Sequence, residues 1–213
     1  MKTTLIFVRH GESEANGNGF FAGQSDIALS PRGLQQAELT AHFISKNFQV
    51  DAVYASDLQR AACTAIPIAK QCGKELNKAP QLREIFAGQW QGMCFDQLQT
   101  EHADTYSTWL QDIGNAHPAG GESVKALSER IWAAVEDIAR QEQGKTVAIV
   151  THATPIRALL CKLKGFDLSQ MKNIPWVSNA SVTVVTYDGR WILVQEGLDT
   201  HLAELKTQFP ANV

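Results

Sequence analysis

The stretch Phe7-Val8-Arg9-His10-Gly11-Glu12 closes an apolar run that begins at Leu5. A short apolar run followed by polar residues and glycine is typical of a buried β-strand that ends in a turn. An arginine, a histidine and a flexible glycine would then lie together at one edge of a sheet. Because an imidazole can attack phosphorus while a guanidinium binds the phosphoryl oxygens, this edge is a candidate site for phosphate chemistry.

A second apolar run, Thr146–Val150, also leads into a histidine, His152. In open α/β sheets, ligands bind outside the carboxyl ends of the strands. If the two strands are neighbours, His10 and His152 face each other across that crevice. A third run, Val50–Ala55, is followed at the same edge by Arg60, one turn into the next helix. Two histidines and two arginines would form a local cationic pocket suited to a dianion such as phosphate.

Apolar residues at helical spacing alternate with these strand-like runs. Predicted helices cover Ser30–Ile44, Leu58–Gln71, Val124–Gln141 and Thr154–Lys164. A short strand is predicted within Glu75–Leu82, and a β-hairpin is predicted from Ser181–Thr186 and Trp191–Gln195 around Asp188-Gly189. Gly11–Leu29 is expected to be a loop, and Arg83–Gly121 to be irregular with short helices near 95–98 and 106–110. The alternation predicts an α/β fold with a mostly parallel sheet and one antiparallel edge hairpin.

The composition is that of an ordinary globular protein. The chain has 213 residues, of which 44% are hydrophobic and 19% charged, and a formal net charge of −3. These values fit one domain over residues 1–213, and they argue against binding to nucleic acid or to an anionic membrane. No apolar run approaches the roughly 18 residues of a membrane span, and no secretory signal is recognisable. The four cysteines follow no metal-binding spacing, so a cytoplasmic protein with reduced cysteines is expected.

Six sequence elements occur in a fixed order along most of the chain. They are Arg9-His10-Gly11-Glu12-Ser13-Glu14-Ala15-Asn16, Gly23–Ala37, Ser56–Arg60, Leu82–Gly88, Gly120–Ser123 and His152–Arg157. In these elements and their order, the chain resembles the phosphoglycerate-mutase-like branch of the histidine phosphatase superfamily. Arg-His-Gly alone would be a weak signal, whereas the six elements together are specific. The resemblance implies a three-layer α/β/α sandwich.

The resemblance also implies roles for the matching residues. His10 would be the nucleophile that forms a phosphohistidine intermediate, with its other ring nitrogen donating to a nearby carbonyl. Glu84 would protonate the leaving oxygen and then activate water. Phosphate would be bound by Arg9, Asn16, Arg60, His152 and the backbone of Ala153, with Gly23 and Gln24 in the substrate pocket. No metal or cofactor is expected, because the protein itself supplies the positive charge.

Some residues depart from the family pattern or lie outside it. Many members have glycine after the second histidine, where this chain has Ala153. Its backbone N–H can still donate to phosphate if φ is negative. The histidines that belong to no motif are expected at the surface; they are His42, His102, His117 and His201. Loop-orienting roles are expected for Glu12, Asp57 and Glu122.

The segment 84–121, a lid-like insertion, bears on the choice between hydrolysis and mutase activity. A mutase must hold a sugar acid with a carboxylate and a second phosphate, which requires cations above the pocket. Residues 84–124 contain no lysine or arginine, but they include Phe86, Trp90, Phe95 and Trp109. These aromatic residues could cover an apolar leaving group, or each could simply belong to the core. We therefore expect a metal-independent phosphomonoesterase that acts on a small-molecule phosphate ester as a monomer or homodimer.

Three alternatives stay open at this point. A cofactor-dependent phosphoglycerate mutase would use the same phosphohistidine. A non-catalytic module that binds a phosphorylated ligand could share the fold, although this chain keeps the nucleophile and both arginines. A zinc hydrolase would use His10 and His152 but lacks an obvious third ligand. The resemblance is compatible with sugar phosphates, α-ribazole phosphate, phosphoglycerates and nucleotide-like monoesters as substrates.

Overall fold

The computed structural model describes residues 1–207, which form a six-stranded sheet flanked by helices. The strands are β1 (Thr3–Arg9), β2 (Ala52–Ala55), β3 (Leu76–Lys78), β4 (Thr146–Thr151), β5 (Val182–Tyr187) and β6 (Trp191–Leu198). They lie in the order β3-β2-β4-β1-β5-β6. The first four of these run parallel, whereas β5 is antiparallel to β1 and β6 is antiparallel to β5. The predicted parallel sheet with an antiparallel edge hairpin is therefore confirmed.

Helices cover both faces of this sheet. They are α1 (Glu14–Asn18), α2 (Pro31–Asn47), α3 (Gln59–Cys72), α4 (Phe95–Glu101), α5 (Ala103–Gln111), α6 (Val124–Gln141) and α7 (Ala153–Leu163). Side chains alternate along β1, so Leu5 and Phe7 pack on one face while Ile6 and Val8 pack on the other. Helices α6 and α7 bury their apolar residues on the first face, and α2 and α3 on the second. The three-layer sandwich implied by the resemblance is confirmed.

The long helices begin where their capping residues predict. Ser30 precedes Pro31, the first residue of α2, and its hydroxyl accepts the N–H of Gly33 at 3.1 Å. Ser123 caps the first turn of α6 in the same way. Within residues 1–207, no helix combines the length and the hydropathy needed to cross a membrane.

The predicted loop Gly11–Leu29 contains the short helix α1, so that prediction is wrong for Glu14–Asn18. Ser13 Oγ accepts the N–H of Asn16 at 3.3 Å, and Asn16 Oδ1 accepts the N–H of Ser13 at 3.1 Å. These reciprocal bonds form a capping box, which offsets the low helix propensity of Gly17. The box also fixes the orientation of the Asn16 amide.

The segment 84–121 consists of short helices anchored by aromatic packing. Helices α4 and α5 extend the two short helices predicted there. Trp90 is fully buried, and its ring lies 5.4, 5.7 and 6.0 Å from those of Phe21, Tyr106 and Trp109, each in an edge-to-face arrangement. Trp90 is therefore a core residue that attaches the segment to the rest of the fold.

Candidate active site

The candidate site lies at the carboxyl edge of the sheet, where β1 and β4 end side by side. These strands pair in parallel, with Arg9 opposite Thr151. The ring of His10, directly after β1, lies 5.1 Å from that of His152, directly after β4, measured between centroids. The backbone N–H of His10 also donates to the carbonyl of Thr151 at 2.9 Å. The expected juxtaposition of the two histidines is observed.

His10 is buried, and its ring is held in one tautomer. Its Nδ1 lies 2.6 Å from the carbonyl oxygen of Gly11. Because a carbonyl oxygen only accepts, Nδ1 carries the proton and Nε2 keeps its lone pair. Burial lowers the pKa of His10 well below its usual value, and the charges of Arg60 and Arg9 lower it further. The ring is therefore a neutral imidazole with a nucleophilic Nε2.

Two buried guanidinium groups lie beside the histidines. Arg9 Nη1 donates to the carbonyl of Val177 at 2.6 Å. Arg60, in the first turn of α3, donates to the carbonyls of Gly23 and Ser25 at 2.7 and 2.8 Å. Burial lowers the pKa of Arg9 to about 10 and also lowers the pKa of Arg60. A pKa of about 10 still leaves Arg9 charged at neutral pH, and carbonyl partners orient the cations without neutralising them.

Glu84 places a carboxyl group in the same site. Its Oε1 accepts the N–H of Ile85 at 2.8 Å, and its Oε2 accepts the N–H of Thr154 at 3.3 Å. Burial raises the pKa of Glu84 despite these bonds and the nearby charge of Arg60. A carboxyl group with a raised pKa can give and take a proton closer to neutral pH, as general acid–base catalysis requires.

Most of the predicted site residues line a single cavity of about 140 Å³. The ionisable side chains in its wall, here called the charged cluster, are Arg9, His10, Arg60 and Glu84. The predicted residues Asn16, Gly23 and Ala153 also line it. His152 is fully buried behind this wall, against the ring of His10.

Asn16 and Ala153 each have donors suited to phosphate. Oδ1 of Asn16 accepts bonds from Ser13 and from Asn179 Nδ2, so its NH₂ group is the part that serves a ligand. Ala153 begins α7, whose N-cap residue His152 makes no side-chain capping bond, and helix N-termini bind anions. The φ of Ala153 is not positive, so alanine is accommodated here without strain.

Gly23 and Gln24 lie in the same turn, and each makes a hydrogen bond to a residue of the charged cluster. Gly23 has a φ of +52°, and a Cβ there would lie 2.8 Å from the Cβ of Ala87, so glycine is required. Its carbonyl holds Arg60. The side chain of Gln24 donates to the carbonyl of Glu84 at 3.0 Å instead of lining the cavity. The structure thus places Gln24 as a support for Glu84.

The four aromatic residues of the 84–121 segment separate into two pairs. Phe95 and Trp109 line the cavity. Trp90 is buried in the core, and Phe86 is 43% exposed outside the cavity wall. Only the first pair can cover a bound leaving group.

Several residues of the site were not predicted from the sequence. They are Phe20, Phe21, Trp176, Asn179 and Thr207 in the cavity wall, and Ser56, whose hydroxyl lies 2.8 Å from Nε2 of His152. Most of them come from loops without periodicity. Ser56 belongs to a recognised motif, and its position directly after a strand was the one signal that could have indicated its role.

The loop-orienting predictions are confirmed. Glu12 accepts from the hydroxyl of Ser30, Asp57 pairs with Arg83, and Glu122 pairs with Arg130.

The surface prediction for the remaining histidines holds only in part. His42 and His117 are exposed, and His102 is partly buried. His201 is also partly buried, because its ring stacks on Phe43 at 4.7 Å and bonds to the hydroxyl of Thr40 at 2.9 Å. Burial lowers the pKa of His201, since a charged ring would lose hydration there.

A zinc site would need three or more ligating side chains close together. Over residues 1–207, no such group of histidine, cysteine, aspartate or glutamate side chains occurs. The zinc-hydrolase alternative therefore has no ligand set in this part of the chain.

The fold and site define an α/β protein with two histidines and two arginines at one edge of its sheet, a candidate phosphate-binding site. The chain belongs to the histidine phosphatase superfamily, branch 1, whose family model matches residues 5–198. It is 33% identical to phosphoserine phosphatase 1 of Hydrogenobacter thermophilus over 94% of each chain. It is 34% identical to the metal-independent phosphoserine phosphatase of Arabidopsis thaliana, over 95% of this chain and 84% of that protein.

A solved structure shows the same fold. Bacillus stearothermophilus YhfR superposes with a TM-score of 0.90 at 28% identity, covering 94% of this chain and 99% of that one. The comparisons confirm the predicted family, and the names of the two curated relatives confirm the predicted class of activity, a phosphatase that hydrolyses phosphate monoesters.

Proposed function

We propose that the chain hydrolyses a small-molecule phosphate monoester through a phosphohistidine intermediate on Nε2 of His10. The observation that carries this proposal is the bond from Nδ1 of His10 to the carbonyl of Gly11. It leaves Nε2 unprotonated beside two buried guanidinium groups, so that a nucleophile and the charge needed to bind phosphate lie together.

In the first step, Nε2 of His10 attacks phosphorus as the bond to the leaving oxygen breaks. Arg9, Arg60 and His152 bind the equatorial oxygens, where charge spreads in the transition state. The amide of Asn16 and the N-terminus of α7 at Ala153 add hydrogen bonds. Glu84 in its protonated form transfers its proton to the leaving oxygen, which departs as a neutral alcohol.

In the second step, water releases the phosphoryl group from His10. The Glu84 carboxylate takes a proton from water, the water oxygen bonds to phosphorus, and the N–P bond breaks. Glu84 is then protonated for the next turnover, and inorganic phosphate leaves. A raised pKa suits this alternation, because Glu84 must act as acid and base within one cycle.

The proposed acceptor is water, since no cation outside the charged cluster lines the described part of the cavity. A mutase would need such cations for the carboxylate and second phosphate of its substrate. The alternative of a non-catalytic module is disfavoured because the nucleophile, both arginines and Glu84 are all present. The segment 84–121 would then act as a lid over the leaving group, within a single domain.

The test is to quench the enzyme rapidly during turnover of an aryl phosphate and to search for an acid-labile phosphoramidate on His10. We expect about one phosphohistidine per active site and its absence in His10→Ala. Hydrolysis without a phosphoenzyme would contradict the proposed intermediate. Strong turnover of 3-phosphoglycerate with its bisphosphate primer, alongside negligible hydrolysis, would favour the mutase instead.

The proposed function also includes a cellular location and an oligomeric state for the protein. We propose a cytoplasmic protein, supported by four cysteines that are all unpaired. A monomer or homodimer is proposed for its assembly. Cell fractionation and light scattering of the purified protein would test the two statements separately.

A further inference from the structure

The charges in the cavity wall are all concentrated in the charged cluster. Over the part of the chain that the structure describes, every other side chain in the wall is uncharged. A substrate that fills the cluster with its phosphate would therefore meet no ionic partner for a second charged group.

The rest of the wall is dominated by aromatic rings. They belong to Phe20, Phe21, Phe95, Trp109 and Trp176. Phe21 and Trp109 contact edge to face with centroids 5.1 Å apart, and Trp176 lies 6.5 Å from Trp109. Aromatic side chains that pack on one another form a preorganised apolar surface.

One of these rings is fixed from behind by a cation. The guanidinium carbon of Arg157 lies 4.2 Å from the ring centroid of Trp176. Arg157 itself does not line the cavity, and its Nε donates to the carbonyl of Ile174 at 2.5 Å. This arginine packs on the ring of Trp176 and holds it in place, and it lies outside the wall of this cavity.

We propose that the substrate is a phosphate monoester whose leaving group carries an uncharged aromatic ring and no second anion; this inference rests on the proposed phosphatase function. A carboxylate or second phosphate among these rings would lose hydration without gaining a partner. A ring, in contrast, would stack on aromatic walls.

The experiment compares benzyl phosphate with ethyl phosphate and phosphoserine. All three release a primary alcohol, so differences in kcat/KM report mainly on the pocket. We expect benzyl phosphate to exceed each of the others by at least about tenfold. A preference for phosphoserine, or equal values for all three, would overturn the inference. If no phosphate ester were hydrolysed at all, the proposed function itself would fail instead.

A matched pair of variants tests whether a ring in the cavity wall causes the expected preference for benzyl phosphate. Phe20 and Phe166 are 40% and 48% exposed, but only Phe20 lines the cavity. Phe20→Ala should lower kcat/KM for benzyl phosphate by about threefold to tenfold, and by a smaller factor for ethyl phosphate. Phe166→Ala should change neither. Equal effects of Phe20→Ala on both substrates would show that this ring does not contact the leaving group.

A separate observation concerns the ring of His152. Its Nε2 lies 2.8 Å from the hydroxyl oxygen of Ser56, and both residues are fully buried. Its Nδ1 is also buried and has no hydrogen-bond partner among the described residues. An unpartnered buried nitrogen is costly unless a ligand satisfies it.

The hydrogen bonds of Ser56 determine which nitrogen of His152 carries a proton. Ser56 Oγ accepts the N–H of Leu58 at 3.3 Å, and among residues 1–207 the only acceptor for its own hydrogen is Nε2 of His152, so the hydroxyl donates to that nitrogen. A neutral imidazole that accepts at Nε2 carries its proton on Nδ1. The geometry points to Ser56 as a positioning residue that makes Nδ1–H of His152 a donor to the phosphoryl group on His10.

Two variants and one spectrum test this role. Ser56→Ala should lower kcat by about tenfold to a hundredfold, and Ser56→Thr, which keeps a hydroxyl, should recover part of it. Ser181→Ala is the matched control, because Ser181 is buried but its hydroxyl has no partner among residues 1–207. It should keep native kcat.

The ¹⁵N shifts of the His152 ring, measured on the unmodified protein, should show Nδ1 protonated and Nε2 unprotonated. The opposite tautomer would overturn the assignment even if Ser56→Ala failed to fold. Native kcat in a folded Ser56→Ala variant would overturn it as well.

Discussion

Replacing Glu84 by glutamine separates the two chemical steps. Glutamine has nearly the same shape, and its Oε1 can still accept the N–H of Ile85, which is 2.8 Å from Oε1 of Glu84. Its NH₂ group cannot accept the N–H of Thr154, now 3.3 Å from Oε2, so one weak bond is lost. The larger loss is chemical, because an amide can neither donate the proton to the leaving oxygen nor accept one from water.

The loss of kcat in Glu84→Gln should depend on the leaving group of the substrate. General acid–base catalysis contributes about 10²- to 10⁴-fold, so Glu84→Gln should lower kcat for an alkyl phosphate by that factor. With 4-nitrophenyl phosphate, the leaving phenolate needs no proton, so phosphorylation of His10 should stay within about tenfold of native. Dephosphorylation still lacks its base. A stopped-flow trace should therefore show a burst of about one nitrophenolate per site, followed by slow turnover.

The pH dependence gives an independent check on the same variant. In the native enzyme, kcat/KM should rise as His10 loses its proton, with a pKa well below its usual value. It should fall at higher pH as Glu84, whose pKa is raised, loses the proton it must donate. In Glu84→Gln the alkaline fall should disappear. The assignment is refuted if no burst occurs and both substrates slow equally, or if the alkaline fall persists.

Three further outcomes follow from the site and the core. His10→Ala should lose at least about 10⁴-fold in kcat while keeping its circular dichroism spectrum, and full activity would remove the nucleophile assignment. Prolonged dialysis against a chelator should leave hydrolysis unchanged, because the charge that binds phosphate comes from Arg9 and Arg60; a loss restored by added zinc would contradict this. Trp90→Ala should lower the free energy of unfolding by about 3–5 kcal/mol in urea titrations, and a change below 1 kcal/mol would show that Trp90 is not a core anchor.

The parts of the site that follow strands were predictable from the sequence. His10, Arg60 and His152 each come directly after an apolar run or in the first turn beyond it, and parallel strands bring their carboxyl ends together. The adjacency of the two histidines then depended only on which strands pair. Local order along the chain was enough to place each of these residues at the carboxyl edge of the sheet, but the pairing of β1 with β4 had to come from the structure.

The parts formed by loops were not predictable in this way. Trp176 and Asn179 lie in a segment without regular spacing, and they reach the cavity only through tertiary packing. The α1 helix depends on side-chain bonds between Ser13 and Asn16 that outweigh weak propensity. His201 is partly buried by stacking on Phe43, a contact between residues far apart in the chain.

The strand order has a consequence for how the protein is made. Of the six strands described, β1 leaves the ribosome first, yet both of its neighbours, β4 and β5, lie beyond residue 145. For most of synthesis, the apolar residues of β1 therefore have no strand to pair with, and such long-range pairing folds slowly. His10 is synthesised well before β4 and β5, so its proposed role as nucleophile depends on residues beyond 145 closing the sheet around it.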